Sequence, residues 1–231
     1  MQEETIVPEG WSSRAWQRHK EIWSNREIFF SILLSLVAIA LSAAANAFSD
    51  LYATEKASSS VTDIILSNVP VVTGVEDIFV YGALAVVLLI AILCILHPKR
   101  APFTLYTLSL VFFVRAIFVS LTHIGPYPDH VIIDVHSKIL LAFFGGGDQF
   151  FSGHTTLPFM MALIYWHDRL LRYIFLAASV ILGVVVLLGH LHYTIDVLSA
   201  FFISYSVYAM ALWLFPKERA LFFNNKIPSG S

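Results

Sequence analysis

Two short segments of this chain carry the residue types that chemistry at a phosphate group requires. The first runs from Gly147 to Thr155 and reads GDQFFSGHT, and the second runs from His190 to Val197 and reads HLHYTIDV. A neutral imidazole can attack phosphorus, and a carboxylate at its other ring nitrogen fixes the tautomer and stabilises the developing positive charge. A second histidine can protonate the departing alkoxide. His192, Asp196 and His154 are therefore the candidate catalytic residues.

Other residues of the two segments suit the binding of a phosphate group. Ser152 and Gly153 stand at the start of a predicted helix, where backbone N–H groups favour anions. Asp148 is predicted to orient a neighbour or to contact a cationic headgroup. His190 and Tyr193 are predicted to contact the substrate or to support the nucleophile. Each segment taken alone also has a structural explanation, because a histidine and a carboxylate at a helix start can form a cap and a hydrogen bond.

The elements that must position these segments are hydrophobic helices. Only 13% of the residues are charged, against about 25% in soluble domains, and the mean hydropathy is +0.75. A transmembrane helix needs about 20 apolar residues. The apolar segments predict an all-α, polytopic membrane protein with six transmembrane helices at 28–49, 78–97, 103–124, 154–166, 173–191 and 194–215. The single cysteine, Cys94, excludes an internal disulfide.

The placement of basic residues predicts an orientation. Eleven of the 14 lysines and arginines fall on one side of the predicted membrane, so both termini are expected to be cytoplasmic. The active site is then expected on the exoplasmic face, whether luminal or periplasmic. Three parts are predicted: a cytoplasmic segment with an interfacial helix at 1–27, a six-span catalytic membrane domain at 28–216, and a cytoplasmic tail at 217–231. The alternative for the first part is a solvent-exposed segment that precedes the first span.

Under this topology both segments reach the same membrane face. His192 and Asp196 are four residues apart and share one side if their helix begins early enough. Arg115 lies about nine residues inside the outer end of the third span, or roughly 13 Å deep at 1.5 Å per residue. A buried cation without a partner is costly, so Arg115 is predicted to bind phosphate. The alternative is a structural pairing or a side chain that extends to the membrane surface.

These motifs resemble those of the sphingomyelin synthase family, a branch of the type 2 phosphatidic acid phosphatase superfamily. The resemblance covers roughly residues 76–210. The first segment is similar to the family's Cys-Gly-Asp-x-x-x-Ser-Gly-His-Thr motif, with Gly146 in place of the cysteine. The second is similar to its His-x-His-Tyr-Thr-x-Asp-Val motif, with Leu191 where an acidic residue is common. Arg115 and Thr122, followed by residues 125–128, are similar to its Arg-x6-Thr and Pro-x-Pro segment.

The resemblance implies a six-helix bundle of the phosphatase-superfamily type with a His-His-Asp triad on the exoplasmic face. His192 would be the nucleophile, Asp196 its partner and His154 the acid for the leaving group. The reaction implied is transfer of a phospho-headgroup from a glycerophospholipid to a lipid alcohol such as ceramide, through a phosphohistidine. Water in place of the alcohol would give phospholipase C-type hydrolysis.

Two alternative functions remain open from the sequence. One is a lipid phosphate phosphatase that uses the same triad. Ordinary phosphatases of the superfamily carry Lys-x6-Arg-Pro and Ser-Arg-x5-His-x3-Asp, whereas Val186 and Val185 stand six and seven residues before His192. A phosphomonoester carries up to about two negative charges, which need several cations, so the missing basic residues favour a phosphodiester donor. The other alternative is a lipid-binding or transport protein without catalysis.

The expected partners are membrane lipids: a glycerophospholipid donor and ceramide or another lipid alcohol as acceptor. A net charge of -2 gives no indication of nucleic-acid binding, and none is expected. No cofactor is expected. Histidines are numerous on the outer side, but their spacing matches no zinc or two-metal pattern. The sequence leaves the oligomeric state open, a homo-oligomer included.

Overall fold

The computed structural model describes residues 25–133 and 150–223, and these ranges are helical without a strand. The predicted interfacial helix before residue 25 and the tail after residue 223 lie outside the described residues. In chain order the helices are α1 (Arg26–Lys56), α2 (Glu76–Leu96), α3 (Ala101–Leu121), α4 (Gly153–Ile164), α5 (Arg169–Leu188), α6 (Thr194–Leu214) and α7 (Pro216–Phe223), with a 3-10 turn at Leu66–Asn68 between α1 and α2.

Five helices are long and apolar enough to cross a bilayer: α1, α2, α3, α5 and α6. They indicate an integral, multi-pass membrane protein, as predicted. Helix α4 has 12 residues, fewer than the roughly 20 that a span requires, so the described residues do not confirm six spans. The chain turns just after α4, where the side chain of Asp168 accepts a hydrogen bond from the N–H of Leu171 and caps α5.

Helix α4 is buried among the others. It packs mainly on α5 and α6, with smaller contacts to α2 and α3. Eight of its 12 residues are buried, among them Met160, Met161 and Ile164, which contribute to the largest hydrophobic cluster. Because protein surrounds α4, its N-terminus is held in place by side chains of several helices. His154, its second residue, is positioned by this packing.

Helices α1 and α3 form the most extensive helix pair. The buried side of α1 carries serines at intervals of seven residues, Ser35, Ser42 and Ser49, each of which donates to a carbonyl in its own helix. Small residues allow helices to approach closely in membranes. Helix α1 continues to Lys56, seven residues past the predicted end of the span, and so includes Asp50.

The two ends of the helix bundle differ in composition. At one end lie the loops 57–75 and 122–133, which we call the loop end; α1, α3 and α5 finish there and α2, α4 and α6 begin there. At the opposite end α7 closes the bundle. Its Phe222 is buried against Phe103 and Tyr165, and the guanidinium of Arg100 lies 5.3 Å from the Phe222 ring centroid. The predicted site residues occupy the loop end.

Gly183 of α5 sets the spacing of the helices around the site. A Cβ there would lie 3.2 Å from Val197 Cγ1 in α6 and 3.3 Å from Thr155 Oγ1 in α4. We expect Gly183→Leu to lower the free energy of unfolding by about 1–3 kcal/mol, since the larger side chain forces these helices apart. Thermal unfolding in detergent measures this effect. Val184→Leu, at an exposed position of the same helix, is the control, and equal melting of the two variants would contradict the expectation.

Candidate active site

The second motif lies in the connector between α5 and α6, residues 189–193, and in the first turn of α6. His192 precedes the helix, which begins at Thr194, so the early helix start on which a shared helical face depended is not found. The contact nevertheless forms: His192 Nδ1 lies 3.4 Å from Asp196 Oδ2. Tyr193 has an extended backbone, and this conformation turns His192 back over the first turn of α6. Both partners of the contact are buried.

Asp196 is held in a fixed orientation. Its Oδ2 accepts a hydrogen bond of 3.0 Å from the backbone N–H of Tyr193. A carboxylate in the first turn also interacts favourably with the helix N-terminus. An aspartate oriented in this way can hold the Nδ1–H tautomer of His192, which leaves Nε2 with the lone pair that a nucleophile needs.

The first motif is tied directly to the second. The backbone N–H of Ser152 donates to the carbonyl of Asp196 over 3.1 Å, which joins the N-terminus of α4 to that of α6. The ring of His154 stacks on Phe79 of α2, with centroids 3.7 Å apart and an angle of 22° between the planes. His154 also interacts electrostatically with His192 and with Arg115. The structure therefore brings the three predicted catalytic residues and Arg115 to one place.

Arg115 lies six residues before the end of α3, about 9 Å from that end at 1.5 Å per residue and so nearer the surface than expected. Its Nε donates to the carbonyl of Phe151 over 3.2 Å, immediately before the helix α4. A Cβ on Gly153 would lie 3.5 Å from the same Nε. This separation is an ordinary van der Waals contact, so the guanidinium lies directly against the first turn of α4.

Sequence reasoning missed two residues of the site, both in α1. Arg115 Nη1 donates to Asn46 Oδ1 over 2.7 Å and forms an ion pair of 3.2 Å with Asp50 Oδ1. Asn46 in turn donates to Asp50 Oδ2 over 2.8 Å, which completes a triangle of polar side chains. Asp50 also interacts electrostatically with His192. The signal in the sequence was a polar pair four residues apart that follows the apolar run of this helix.

The other predicted binding residues of the first motif have different surroundings. Ser152 is buried beside the triad, and its hydroxyl has no hydrogen-bond partner among residues 25–133 and 150–223. Gly153 opens α4, whose first N–H groups have no acceptor within the helix. The N–H of Ser152, by contrast, is already bound to Asp196. Asp148 lies outside the described residues.

His190 and Tyr193 face the loops. His190 has a backbone φ of 53°, in the left-handed region, and its Nε2 lies 3.0 Å from the carbonyl of Val69. The hydroxyl of Tyr193 donates to the carbonyl of Gly125 over 2.8 Å and accepts from the N–H of Val61 over 3.2 Å. Burial raises the pKa of Tyr193, so this hydroxyl remains a donor at neutral pH. That either residue contacts substrate stays a prediction.

Backbone hydrogen bonds tie the connector 189–193 to both loops. The carbonyl of Gly189 accepts from the N–H of Val131 over 2.9 Å, and the carbonyl of Leu188, just before it, accepts from the N–H of Val72 over 2.8 Å. The loops also bind each other, since the N–H of Ser58 donates to the carbonyl of His123 over 2.8 Å. The loop end is therefore a hydrogen-bonded layer built around the segment that carries His192. In the part of the chain that is described, no group of three or more His, Cys, Asp or Glu residues is arranged to hold a metal ion.

Comparison with known families agrees with this geometry. Residues 145–213, which include the whole triad, match the family model described as PAP2 superfamily C-terminal. The match supports the type 2 phosphatidic acid phosphatase superfamily. Members of that superfamily are typically phosphatases or phosphotransferases, which supports an enzyme of this kind. Searches of curated proteins and of solved structures found no significant match.

Proposed function

We propose that this protein is a membrane phospholipid phosphotransferase of the sphingomyelin synthase type. It moves a phospho-headgroup from a glycerophospholipid to a lipid alcohol such as ceramide. The observation that carries the proposal is the contact between His192 Nδ1 and Asp196 Oδ2 at 3.4 Å, close enough to His154 and Arg115 for all four to interact. At 3.4 Å the contact is longer than the usual hydrogen-bond range of about 2.7–3.2 Å, so it is an electrostatic contact between the ring and the carboxylate.

The first step forms a bond between His192 Nε2 and phosphorus. Asp196 stabilises the positive charge that develops on the ring, and the bond from phosphorus to the glyceryl oxygen breaks. His154, protonated, gives its proton to that oxygen, and diacylglycerol leaves. Arg115 and the first N–H groups of α4 compensate negative charge on the phosphate oxygens.

The second step returns the enzyme to its starting state. His154, now neutral, takes the proton from the hydroxyl of the lipid alcohol. The alcohol oxygen attacks phosphorus, and the bond to His192 Nε2 breaks with its electron pair returning to the ring. If water takes the place of the alcohol, the same intermediate yields a free phosphorylated headgroup. In this proposal the site faces the exoplasmic side, as the distribution of basic residues predicts.

The charge balance of the site favours a phosphodiester donor. Arg115 is paired with Asp50, so much of its positive charge is already compensated before substrate binds. A phosphodiester brings one negative charge and a phosphomonoester up to about two. A dianion would meet the Asp50 carboxylate, which interacts with His192, while the charge of Arg115 is already shared with that carboxylate. A donor such as phosphatidylcholine or phosphatidylethanolamine fits this arrangement better than phosphatidate.

A lipid phosphate phosphatase is the second candidate, because the same triad and the match over residues 145–213 support it equally. The two functions differ in substrate charge and in the acceptor. In the phosphatase reaction the donor is a monoester and water is the acceptor, so inorganic phosphate is released.

One experiment separates these functions. The full chain is placed in liposomes that contain phosphatidylcholine, phosphatidylethanolamine, phosphatidate and labelled ceramide, and the products are followed by mass spectrometry. We expect diacylglycerol together with ceramide that has gained a phospho-headgroup. Diacylglycerol with inorganic phosphate and unchanged ceramide would instead establish the phosphatase. Lipid bound stoichiometrically without turnover would contradict both.

A further inference from the structure

Asp63 connects the first loop of the loop end to the start of α6. It lies in the loop 57–75 and is 8% exposed. Its Oδ1 accepts hydrogen bonds from the N–H groups of Ile65 and Leu66, at 2.9 and 3.1 Å, which organise the turn that follows. Its carboxylate also binds Thr194, with 2.7 Å from the N–H to Oδ2 and 3.0 Å from the hydroxyl to Oδ1. One side chain therefore holds two segments that are 131 residues apart.

The hydrogen bonds between Asp63 and Thr194 matter because of where Thr194 lies in the chain. Thr194 is the first residue of α6 and lies midway between His192 and Asp196. Its N–H is one of the first four of the helix, which have no acceptor within it, and a negative charge at this end is favourable. Asp63 thus caps α6 from a distant loop at the point where the chain passes from the nucleophile to its carboxylate partner.

The ionisation of Asp63 agrees with this role. Burial by itself raises the pKa of the Asp63 carboxyl, but the hydrogen bonds from the N–H groups of Thr194, Leu66 and Ile65 outweigh it, so that the pKa lies below its ordinary value. The carboxylate is therefore ionised at neutral pH and accepts all four hydrogen bonds. A neutral amide at the same position would present an NH2 group to one of these donors.

Tyr193 reinforces the same attachment. Its hydroxyl accepts from the N–H of Val61, two residues before Asp63, and donates to the carbonyl of Gly125 in the other loop. Two consecutive residues of the motif, Tyr193 and Thr194, are thus held by side-chain hydrogen bonds to the loop that contains Asp63. His192 directly precedes them, so its position relative to Asp196 depends on both attachments.

We propose that Asp63 is a positioning residue for the transfer reaction: by holding Thr194 it sets the distance and orientation of His192 relative to Asp196. This inference rests on the proposed function. The residues that bind phosphate in that proposal, Arg115 and Gly153, are held by α1 and by the chain before α4. The hydrogen bonds of Asp63 go instead to its own loop and to Thr194. Loss of Asp63 should therefore slow the chemical step and leave substrate binding nearly unchanged.

The test is Asp63→Asn in the full chain, assayed in phosphatidylcholine liposomes with labelled ceramide. We expect kcat to fall about 10- to 100-fold while KM stays within about twofold, the pattern of an interaction that acts in the transition state. Asp129→Asn is the matched control, because it removes the same charge from an exposed position of the other loop. It should leave both constants unchanged.

A second variant keeps the test decisive if Asp63→Asn folds poorly. Thr194→Val removes the hydroxyl that binds Asp63 and keeps the backbone N–H, so we expect a fall in kcat of about three- to tenfold with an unchanged melting temperature. The double variant should be no more than about twofold slower than Asp63→Asn, since the two changes remove the same interaction.

Three results would overturn the inference. A folded Asp63→Asn protein whose kcat equals that of the wild type would do so. A double variant whose loss in kcat equals the product of the two single losses would also do so. A rise in KM with unchanged kcat would assign Asp63 to substrate binding instead. If the wild-type protein turned over no phospholipid, both the proposed function and this inference would be contradicted. If the wild type were active and the Asp63→Asn variant were unaffected, only the inference would be contradicted.

Discussion

Replacing His192 with alanine should abolish turnover of phospholipid by at least about 10⁴-fold. The imidazole is proposed to form the bond to phosphorus, and an alanine side chain cannot form this bond, so the covalent route is lost. Both headgroup transfer to ceramide and hydrolysis by water should disappear together, because both pass through the same phosphohistidine. Product formation in liposomes, with the melting temperature as a check on folding, measures the effect.

The same variant should lose the covalent intermediate. With a donor labelled in its headgroup, the wild-type protein should carry label that is stable in alkali and released by acid, as a phosphorus–nitrogen bond is. His130→Ala is the control, since His130 is an exposed histidine of the loop 122–133. Label retained by the His192→Ala protein, or turnover comparable to that of the control, would contradict the assignment of the nucleophile.

Replacing His154 with alanine should lower the rate on natural phospholipids by about 10²- to 10⁴-fold, the range for loss of a general acid. The effect should depend on the leaving group. A p-nitrophenyl ester of phosphocholine releases a weakly basic phenolate that needs no proton, so the variant should form the phosphohistidine from this ester at nearly the wild-type rate.

The second step of the proposed reaction tests the role of His154 as a base. Without His154 as base, the phosphohistidine should pass only slowly to ceramide or water, so the variant should release about one equivalent of nitrophenol in a burst and then stop. Asp129→Asn, which leaves the site untouched, should show steady turnover of the same ester. If the rate of the nitrophenol burst fell as much as the rate on phosphatidylcholine, His154 would not be the group that protonates the leaving oxygen.

The helices were largely predictable because most of them are defined by apolar runs. The spans predicted at 78–97 and 194–215 agree within a few residues with α2 and α6. The span predicted at 28–49 stops just before Asp50, whereas α1 continues to Lys56. The ion pair between Asp50 and Arg115 stabilises a charged residue within this helix. Helix α4 ends at Ile164, and its apolar residues are buried by neighbouring helices.

The site was predictable in its residue types and less so in its geometry. His154, His192 and Asp196 meet as expected, but the contact between the last two depends on the extended backbone of Tyr193, which their spacing alone does not indicate. Asp50 and Asp63 act through partners 65 and 131 residues away in sequence. No local pattern links residues at such separations, so only the packed structure reveals them.

The hydrogen bonds of the loop end have a consequence for how this chain can change. Surface loops usually accept insertions and deletions freely, because little depends on their path. Here the loops 57–75 and 122–133 supply partners for the connector 189–193, through Val69 and Val131 among others. A residue added to either loop would shift those partners and with them the segment that carries His192. We therefore expect the lengths of these loops to be as constrained as the spacing within the two segments that carry the predicted catalytic residues.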